Sequence, residues 1–389
     1  MNNKIDIPQG WEIKKLGEVC DELVRGPFGS SLKKEFFVKP NIDTYKVYEQ
    51  KNAIQGNCNI GTYYITNEKF KELARFECKH GDIIMSCSGT IGKLYTIPNG
   101  APKGIINQAL LKISLNSSIN EYIFKLVFAN KIQSLSMAGS GIQNIASVKY
   151  IKNINIMLPP LEEQKKIADI LLTWDKAITT LKEIIQQKEL QKKGLMQNLL
   201  TGKKRLDGFN DEWKEVKLGE ILDSAILCKK GNIITEKNII SGNIPVVAGG
   251  RTIPYYHNQY NYDGITITIS SSGYAGFVWL HNYPIWASDC LVLKGINNLY
   301  DTSFLYYYLK LKQEQIFLLK TGGAQPHVYI KDIARILIPN ITYEEQKAIA
   351  EILMKADEEI SLLNKQLELY TEQKKGLMQK LLTGKIRVN

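Results

Sequence analysis

The stretch Glu162-Glu-Gln-Lys-Lys-Ile-Ala-Asp-Ile-Leu-Leu-Thr-Trp-Asp-Lys-Ala-Ile178, continued by Gln191-Lys-Lys-Gly-Leu-Met-Gln-Asn-Leu-Leu-Thr-Gly-Lys-Lys-Arg205, decides the architecture, because it occurs twice. The second copy reads EEQKAIAEILMKADEEI from Glu344 and QKKGLMQKLLTGKIR from Gln373 to Arg387, each matched position 182 residues further on. Roughly half of the aligned positions are identical, which makes this an internal repeat. Each copy has the periodicity of one long amphipathic helix. Ile167, Leu171, Trp174, Ile178, Leu181, Ile185, Leu195 and Leu199 share a stripe, matched by Ile349, Leu353, Ala356, Ile360, Leu363, Leu367, Leu377 and Leu381. Alternating steps of four and three predict an apolar seam against a partner helix. Thr201-Gly202 and Thr383-Gly384 supply the stops, since glycine takes the left-handed cap conformation. Gly194 and Gly376 lie inside the pattern, each at a cost of about 1 kcal/mol, and are expected to bend or fray the last turns. A helix of about 40 residues spans about 60 Å. Two on one chain most simply pack antiparallel.

The repeat extends beyond the helices. Trp11-Glu-Ile-Lys-Lys-Leu-Gly-Glu18 returns as Trp213-Lys-Glu-Val-Lys-Leu-Gly-Glu220, now offset by 202, so the first domain is about 20 residues longer than the second. The order is domain, helix, domain, helix: 1–158, 159–204, 205–340 and 341–389. A pseudo-twofold relation of the halves would bring the two ends of the chain close together. In the first domain 62–65, 83–85, 94–97 and 110–113 read as strands, and 120–135 as an amphipathic helix after a cap at Ser118. In the second, 265–269, 277–280 and 291–293 read as strands and 302–319 as one helix. Prolines 159, 160 and 339 stand just ahead of the long helices and define their starts. The fold class is α+β: two mixed α/β domains joined by two long antiparallel helices in a pseudo-twofold repeat.

The 389 residues carry a formal net charge of +11, which favours a polyanionic partner such as nucleic acid. The first residues, MNNKIDIPQGW, lack the apolar core of a signal peptide, and no apolar run nears the roughly 18 residues of a membrane span. The six cysteines (Cys20, Cys58, Cys78, Cys87, Cys228, Cys290) form no CxxC pair and suit a reducing cytoplasm. Cys78-Lys-His80 with Cys87 lacks the second close pair of a zinc site, so no metal is expected.

Both domains place a serine–glycine loop after a strand: Ser86, Ser88, Gly89, Thr90 and Lys93 in the first, Ser271, Ser272, Gly273 and Tyr274 in the second. Small hydroxyl residues and glycine let backbone amides approach an anion or a base edge. Gly249-Gly-Arg251-Thr-Ile-Pro-Tyr255 sets arginine, which reads guanine, beside tyrosine, which stacks or contacts phosphate. Gln143 and Lys149 recur as Gln325 and Lys331, and complete the candidate DNA-binding set. Catalytic sets are missing. Gly89-Thr-Ile-Gly92-Lys93 has the wrong spacing for a phosphate-binding loop, and Leu158-Pro-Pro-Leu161 lacks the amide or acid of amino-methyltransferase motifs. Glu12-Ile-Lys14 and Glu215-Val-Lys217 spell the E-x-K of many nucleases, a triplet that needs an acidic partner on a neighbouring strand.

The whole chain resembles the specificity (S) subunit of type I restriction–modification enzymes. The residues that carry the likeness are Pro160-Leu-Glu-Glu-Gln-Lys-Lys-Ile-Ala168, Lys193-Gly-Leu-Met-Gln-Asn-Leu-Leu-Thr-Gly-Lys203, Trp213 to Glu220 and their second copies. The resemblance implies two target-recognition domains, each reading half of an asymmetric bipartite target in double-stranded DNA. It implies helices that act as a ruler and dock two methyltransferase subunits through Ile167, Leu171, Trp174, Ile178, Leu181, Ile349, Leu353, Ile360 and Leu363, with restriction subunits joining afterwards. It implies a non-catalytic chain in the cytoplasm that binds no cofactor itself, S-adenosylmethionine, ATP and Mg being carried by the partners. The second helix departs from the pattern: Pro339-Asn-Ile-Thr-Tyr-Glu344 lacks the proline–leucine of the first, so its docking turn is expected to differ. Other readings are an S-like subunit of a fused restriction–methylation enzyme, a free-standing bipartite DNA-binding regulator, and a nuclease built on the E-x-K residues.

The ruler reading is testable. Four residues inserted at matching points of both helices add about 6 Å of rise and return the seam to nearly the same face, rotated by about 40°. At about 3.4 Å per base pair, the target keeps its half-sites and its spacer lengthens by one or two pairs. Methylation mapping of the variant checks this; an unchanged spacer with full activity would refute it.

Overall fold

The computed structural model describes residues 7–137, 148–323 and 325–388. The chain divides into two compact units, one formed by Met1–Ile178 with Leu369–Asn389 and the other by Thr179–Glu368. Each holds one mixed α/β domain and a stretch of both long helices. Those helices run Leu161–Leu199 and Tyr343–Leu381, within one residue of 162–200 and 344–382, the helical spans that the repeat predicts inside segments 159–204 and 341–389. No described helix is long and apolar enough to cross a membrane.

The first unit is built on strands β1 (Cys20–Arg25), β2 (Ile83–Ser86), β3 (Leu94–Thr96) and β4 (Leu110–Leu115), in the order β1-β4-β2-β3 with every pair antiparallel. Helix α1 (Glu121–Met137) covers one face. Ile83 and Met85 join Phe124 and Phe128 in the core on that side, whereas Ile84 joins Tyr48 and Ile106 on the other. A strand buried on both faces has no polar alternation, which is why 83–85 reads as a plain apolar run. A second sheet, ordered Tyr64–Ile65, Tyr45–Tyr48, Gly104–Ile106, Glu77–Cys78, flanks the first. The start of the first long helix, α2 (Leu161–Leu199), drives Ile167, Ala168 and Leu171 into the same core as Leu381.

The second unit repeats the plan. Strands β5 (Ile226–Lys230), β6 (Thr266–Ser270), β7 (Val278–His281) and β8 (Cys290–Gly295) are ordered β5-β8-β6-β7, all antiparallel. Ile267 and Ile269 pack with Phe304 and Leu305 of α3 (Thr302–Leu311). The opposite face of β6 is polar: Thr268 Oγ1 lies 2.9 Å from His281 Nε2. Burial pushes the His281 pKa down to about 4, so the ring is neutral there at pH 7. The second long helix, α4 (Tyr343–Leu381), sends Ile349, Ala350 and Leu353 into the core beside Leu199.

One contact set recurs in both units. Glu163, 7% exposed, takes a bidentate pair from Arg387 Nε and Nη2 at 2.8 and 2.9 Å and a hydrogen bond from Trp11 Nε1 at 3.1 Å. Glu345, 2% exposed, takes the same pair from Arg205 at 2.8 and 2.9 Å and a bond from Trp213 Nε1 at 3.2 Å. Each arginine's Nη1 also donates to a backbone carbonyl, Gln9 or Asp211. A carboxylate taken this far out of water requires both ion pairing and filled lone pairs, and the forked guanidinium with the indole N–H provides them. The Arg387 guanidinium accordingly holds the Glu163 carboxyl below its ordinary pKa of 4.5. That contribution is complete above the ordinary value and is lost as falling pH protonates the group. The neighbouring glutamines hold the domain helices: Gln164 Oε1 accepts from Asn120 N and Gln346 Oε1 from Asp301 N, both at 2.8 Å. Within each unit the helix segments run antiparallel, Asp175 pairing with Lys374 in one and Asp357 with Lys192 in the other.

Several expectations change. The helix at 302–319 breaks at Lys312 and resumes as Gln313–Leu318. The break aims Gln313 at the sheet, where its Oε1 accepts from Val278 N at 3.0 Å and its Nε2 donates to the Gly276 carbonyl at 2.7 Å. The cap of α1 is Asn120, whose Oδ1 accepts from Ile123 N at 3.1 Å; the Ser118 hydroxyl instead donates to Asn116. Gly194 and Gly376 sit within unbroken helix, with open space where a Cβ would stand. Thr342 takes the place of the missing proline–leucine before α4, its Oγ1 accepting from Glu345 N, and the glutamate and glutamine dock alike at both helices.

Glu345→Gln leaves the Arg205 guanidinium against a neutral amide. Because Arg205 is about a quarter exposed, the expected loss is at the lower end for a broken buried pair, about 2–3 kcal/mol. Glu35→Gln, which removes an exposed pair with Lys33, costs at most about 0.5 kcal/mol. Urea unfolding of the full chain compares the two; equal midpoints would remove the clamp from the stability of the fold.

Candidate nucleic-acid interface

The serine–glycine loops leave the C-terminal ends of β2 and β6, and the same two backbone hydrogen bonds close each of them. In the first unit Gly92 N donates to the Ser86 carbonyl at 2.8 Å and Ser86 N to the Lys93 carbonyl at 3.0 Å. In the second, Gly276 N donates to the Ser270 carbonyl at 2.8 Å and Ser270 N to the Phe277 carbonyl at 3.0 Å. Gly89 and Gly273 have φ of 57° and 59°, Gly92 and Gly276 of 82° and 86°. The later glycine is doubly required. A Cβ on Gly92 would stand 2.6 Å from Ile132 Cγ2, and one on Gly276 3.2 Å from Ile316 Cγ2, so a helix closes against each loop.

Ser86 is buried and its Oγ accepts from Lys93 N at 3.0 Å, so it braces the loop. Ser88 is half-buried, and Gly89, Thr90 and Lys93 are exposed. Burial raises the Cys87 thiol to about 11, which removes it as a nucleophile at neutral pH. In the second loop Ser271 is buried, Ser272 bonds Asp289, and Gly273 and Tyr274 are exposed. Gln143 lies outside the described residues. Lys149 is exposed on the short helix Val148–Lys152.

In the second unit the structure gathers three of the predicted segments. Tyr274 N donates to the Gly249 carbonyl at 2.7 Å, and the Arg251 guanidinium lies 4.1 Å from the centre of the Tyr274 ring and 5.5 Å from that of Phe277. Val328 N donates to the Ser271 carbonyl at 3.0 Å, which brings up the stretch carrying exposed Gln325 and Lys331. Lys331 Nζ lies 5.6 Å over the exposed Tyr329 ring. Lys310 stands behind this surface, 4.4 Å from the Phe277 ring, and burial together with Lys192 and Arg251 lowers its pKa. Tyr255 is exposed on Tyr255–His257, a strand paired with Ile244–Val247.

In the first unit the corresponding arginine, Arg25, escaped the sequence reading. It ends β1 opposite Leu111, while Ser86 ends β2 opposite Leu110, so the two strands finish at the same end of the sheet on either side of β4. Arg25 Nε donates to the Gln108 carbonyl at 2.8 Å and its guanidinium lies 5.5 Å from the Phe28 ring, itself 59% exposed. The available signal was Val24-Arg-Gly-Pro-Phe28 and its counterpart Lys229-Lys-Gly231, basic residues running into a glycine at the same strand end.

The helix-seam candidates fall into two groups. Ile167, Leu171, Ile349 and Leu353 belong to the domain cores, and Leu181 is buried. Trp174, Ile178, Ile360 and Leu363 are half-buried, with Trp174 edge-on to Tyr370 at 5.6 Å. The E-x-K triplets sit on ribbon strands whose partners, Asn155–Leu158 and Leu337–Asn340, contain no carboxylate, and Glu12 pairs with Lys14 at 3.0 Å. Among the described residues no three His, Cys, Asp or Glu side chains gather as for a metal ion.

Known proteins share this organisation along its length. The type I restriction enzyme MjaVIII specificity subunit of Methanocaldococcus jannaschii is 27% identical over 420 residues, covering 98% of this chain and 94% of the relative. The S subunit of a type I restriction–modification system from M. genitalium superposes with a TM-score of 0.64 at 19% identity, covering 98% and 97% of the two chains. The HsdS subunit from Thermoanaerobacter tengcongensis gives 0.53 at 17% identity, covering 99% of each. These two likenesses show a common fold. The family described as the type I restriction modification DNA specificity domain matches twice, over residues 8–190 and 210–369, once for each half of the repeat, and the chain belongs to that family.

Proposed function

We propose that this chain is the DNA-reading subunit of a type I restriction–modification complex in the cytoplasm, each unit reading one half of an asymmetric bipartite target. The observation that carries the reading is a loop closed by the same two backbone hydrogen bonds in both units, each unit also holding an arginine over an exposed aromatic ring. Two homologous readers on one chain suit two half-sites, and the pairs differ, Arg25 with Phe28 against Arg251 with Tyr274, which suits half-sites of different sequence. A guanidinium on a ring face is held planar and partly desolvated, a good posture for bidentate contact with guanine O6 and N7. Gly89, Thr90 and Lys93 in the first unit and Gly273, Gln325 and Lys331 in the second supply exposed polar groups, with half-buried Ser88 and Ser272 beside them and Lys149 beyond. The half-buried helix residues Trp174, Ile178, Ile360 and Leu363 dock two methyltransferase subunits, and restriction subunits join that assembly. In this reading the chain performs no catalytic step; S-adenosylmethionine, ATP and Mg belong to the partners.

Mapping methylated adenines in the host genome gives both half-sites and the spacer. Replacing the segment between Gln164 and Gln346 by that of a relative changes one half-site and leaves the other. A change in both would show that the units are not independent readers, and endonuclease activity of the purified chain alone would favour the nuclease reading.

Arg251→Ala is expected to relax discrimination at one base pair of the second half-site by about 1–3 kcal/mol, without altering the first. Tyr274→Ala, which frees the guanidinium to rotate, gives a smaller loss at the same position. Competition binding with single-base variants of the mapped target reads both; a uniform loss over all sequences would make Arg251 a backbone contact instead.

A further inference from the structure

Beside Arg25 the first unit has a cavity of about 330 Å³, walled by Arg25, Phe28, Arg75, Phe76 and Lys152 with the backbone of Gly26 and Pro27. Its lining holds three cations and no carboxylate. Of the acids on the same strand, Glu22 is paired with Lys112 at 2.7 Å and neither it nor Asp21 forms a wall. A cavity of about 800 Å³ in the second unit is different: Glu351, Asp357 and Glu358 line it together with Lys355 and Lys365. Arg75 and Lys152 are like charges on one space, and an anion between them offsets their repulsion.

The place of the cavity says which anion. It opens at the end of the sheet where β1 and β2 finish on either side of β4, the end that carries the serine–glycine loop. Cys87 N donates to the Ala109 carbonyl and Arg25 Nε to that of Gln108, so the loop and one residue of the cavity lining are both tied to the turn that precedes β4. Resting on the reading of that loop as a DNA reader, we propose that the cavity seats one backbone phosphate of the first half-site, held by Arg75 and Lys152 while Arg25 keeps to the Phe28 ring. The phosphate sets the register of the duplex so that the loop meets its bases. The second unit has no such seat in the matching place: Lys230 stands for Arg25, but the position that Lys152 fills against Gly17 is taken by Ala334 against Gly219. The two half-sites are thus held with unequal electrostatic shares, the first more salt-sensitive than the second.

The test is salt-dependent binding of the full chain to a short duplex of random sequence, with Arg75→Ala, Lys152→Ala and the double variant. Both side chains are exposed and alanine keeps the Lys152 Cβ that packs on Gly17, so the fold is expected to survive; Arg75→Gln and Lys152→Gln repeat the test with little loss of volume. With one phosphate at stake, the double variant is expected to flatten the slope of log affinity against log salt by about 0.9, and each single substitution by part of that. The loss is the same for the mapped target as for random sequence. Lys176→Ala with Lys182→Ala, an equal loss of charge on exposed helix positions, keeps the wild-type slope. A wild-type slope in the double variant overturns the phosphate seat while leaving the DNA reading intact. An equal flattening in the helix variant overturns it as a net-charge effect. Calorimetric binding of inorganic phosphate by a wild-type cavity whose loss does not alter the duplex slope overturns it in favour of a free anion. Wild-type protein that binds no duplex overturns the DNA reading beneath it.

Discussion

A buried carboxylate at the first turn of each long helix is the constraint on which the rest depends. Glu163 and Glu345 cannot remain charged in the interior without their arginine and tryptophan partners. Those partners come from stretches that follow the other helix and precede the domain, so satisfying one glutamate fixes three chain segments at once. The glutamine beside each then holds the backbone at the start of the domain helix, Asn120 in one unit and Asp301 in the other. The helix cannot shift along its axis without breaking both. Apolar packing alone is tolerant of small slides; a forked ion pair and a side-chain amide on a backbone N–H are directional and are not. The position of each reading loop is therefore set by polar contacts made at the helix start, with the apolar core filling in behind.

The sequence disclosed what was periodic or repeated. The long helices were legible to within a residue because seam spacing, glycine stops and a second copy all agreed. The serine–glycine loops were legible as equivalent elements because they recur, although neither copy alone differs much from an ordinary hairpin. What stayed hidden were meetings of distant residues. Arg205 and Trp213 stand 140 and 132 residues from Glu345, and nothing in either local pattern announces the partner. Arg25 was missed for a related reason. Cys20–Arg25 is an edge strand of mixed polarity, and its value lies in finishing at the same end of the sheet as Ser86, across β4, a fact of register. The break at Lys312 is the opposite case: local helix propensity is continuous there, and two tertiary hydrogen bonds of Gln313 override it.

The closing glycine of each loop shows how reading and stability are separated. Gly92 and Gly276 combine positive φ with a helix isoleucine at contact distance, so the backbone at this point admits no side chain. Yet the residues before them, Ser88 to Thr90 and Ser272 to Tyr274, face outward and carry none of the core. A loop whose two ends are clamped by backbone hydrogen bonds, and whose tip touches little, can change its tip residues at small cost in stability. Such a loop can acquire a new target without a new fold.

That separation also explains why the two units can share a scaffold and differ at their surfaces. Strand order, antiparallel pairing, loop hydrogen bonds and the glutamate clamp are common to both. The arginine–aromatic pairs are not: Arg25 and Phe28 come from the end of β1, whereas Arg251 reaches Tyr274 from the segment after Ile244–Val247. An arginine near an exposed ring thus stands in both units although different segments supply it. A reader made this way keeps a positive, flat donor whichever segment supplies it, and leaves sequence preference to the donors around it.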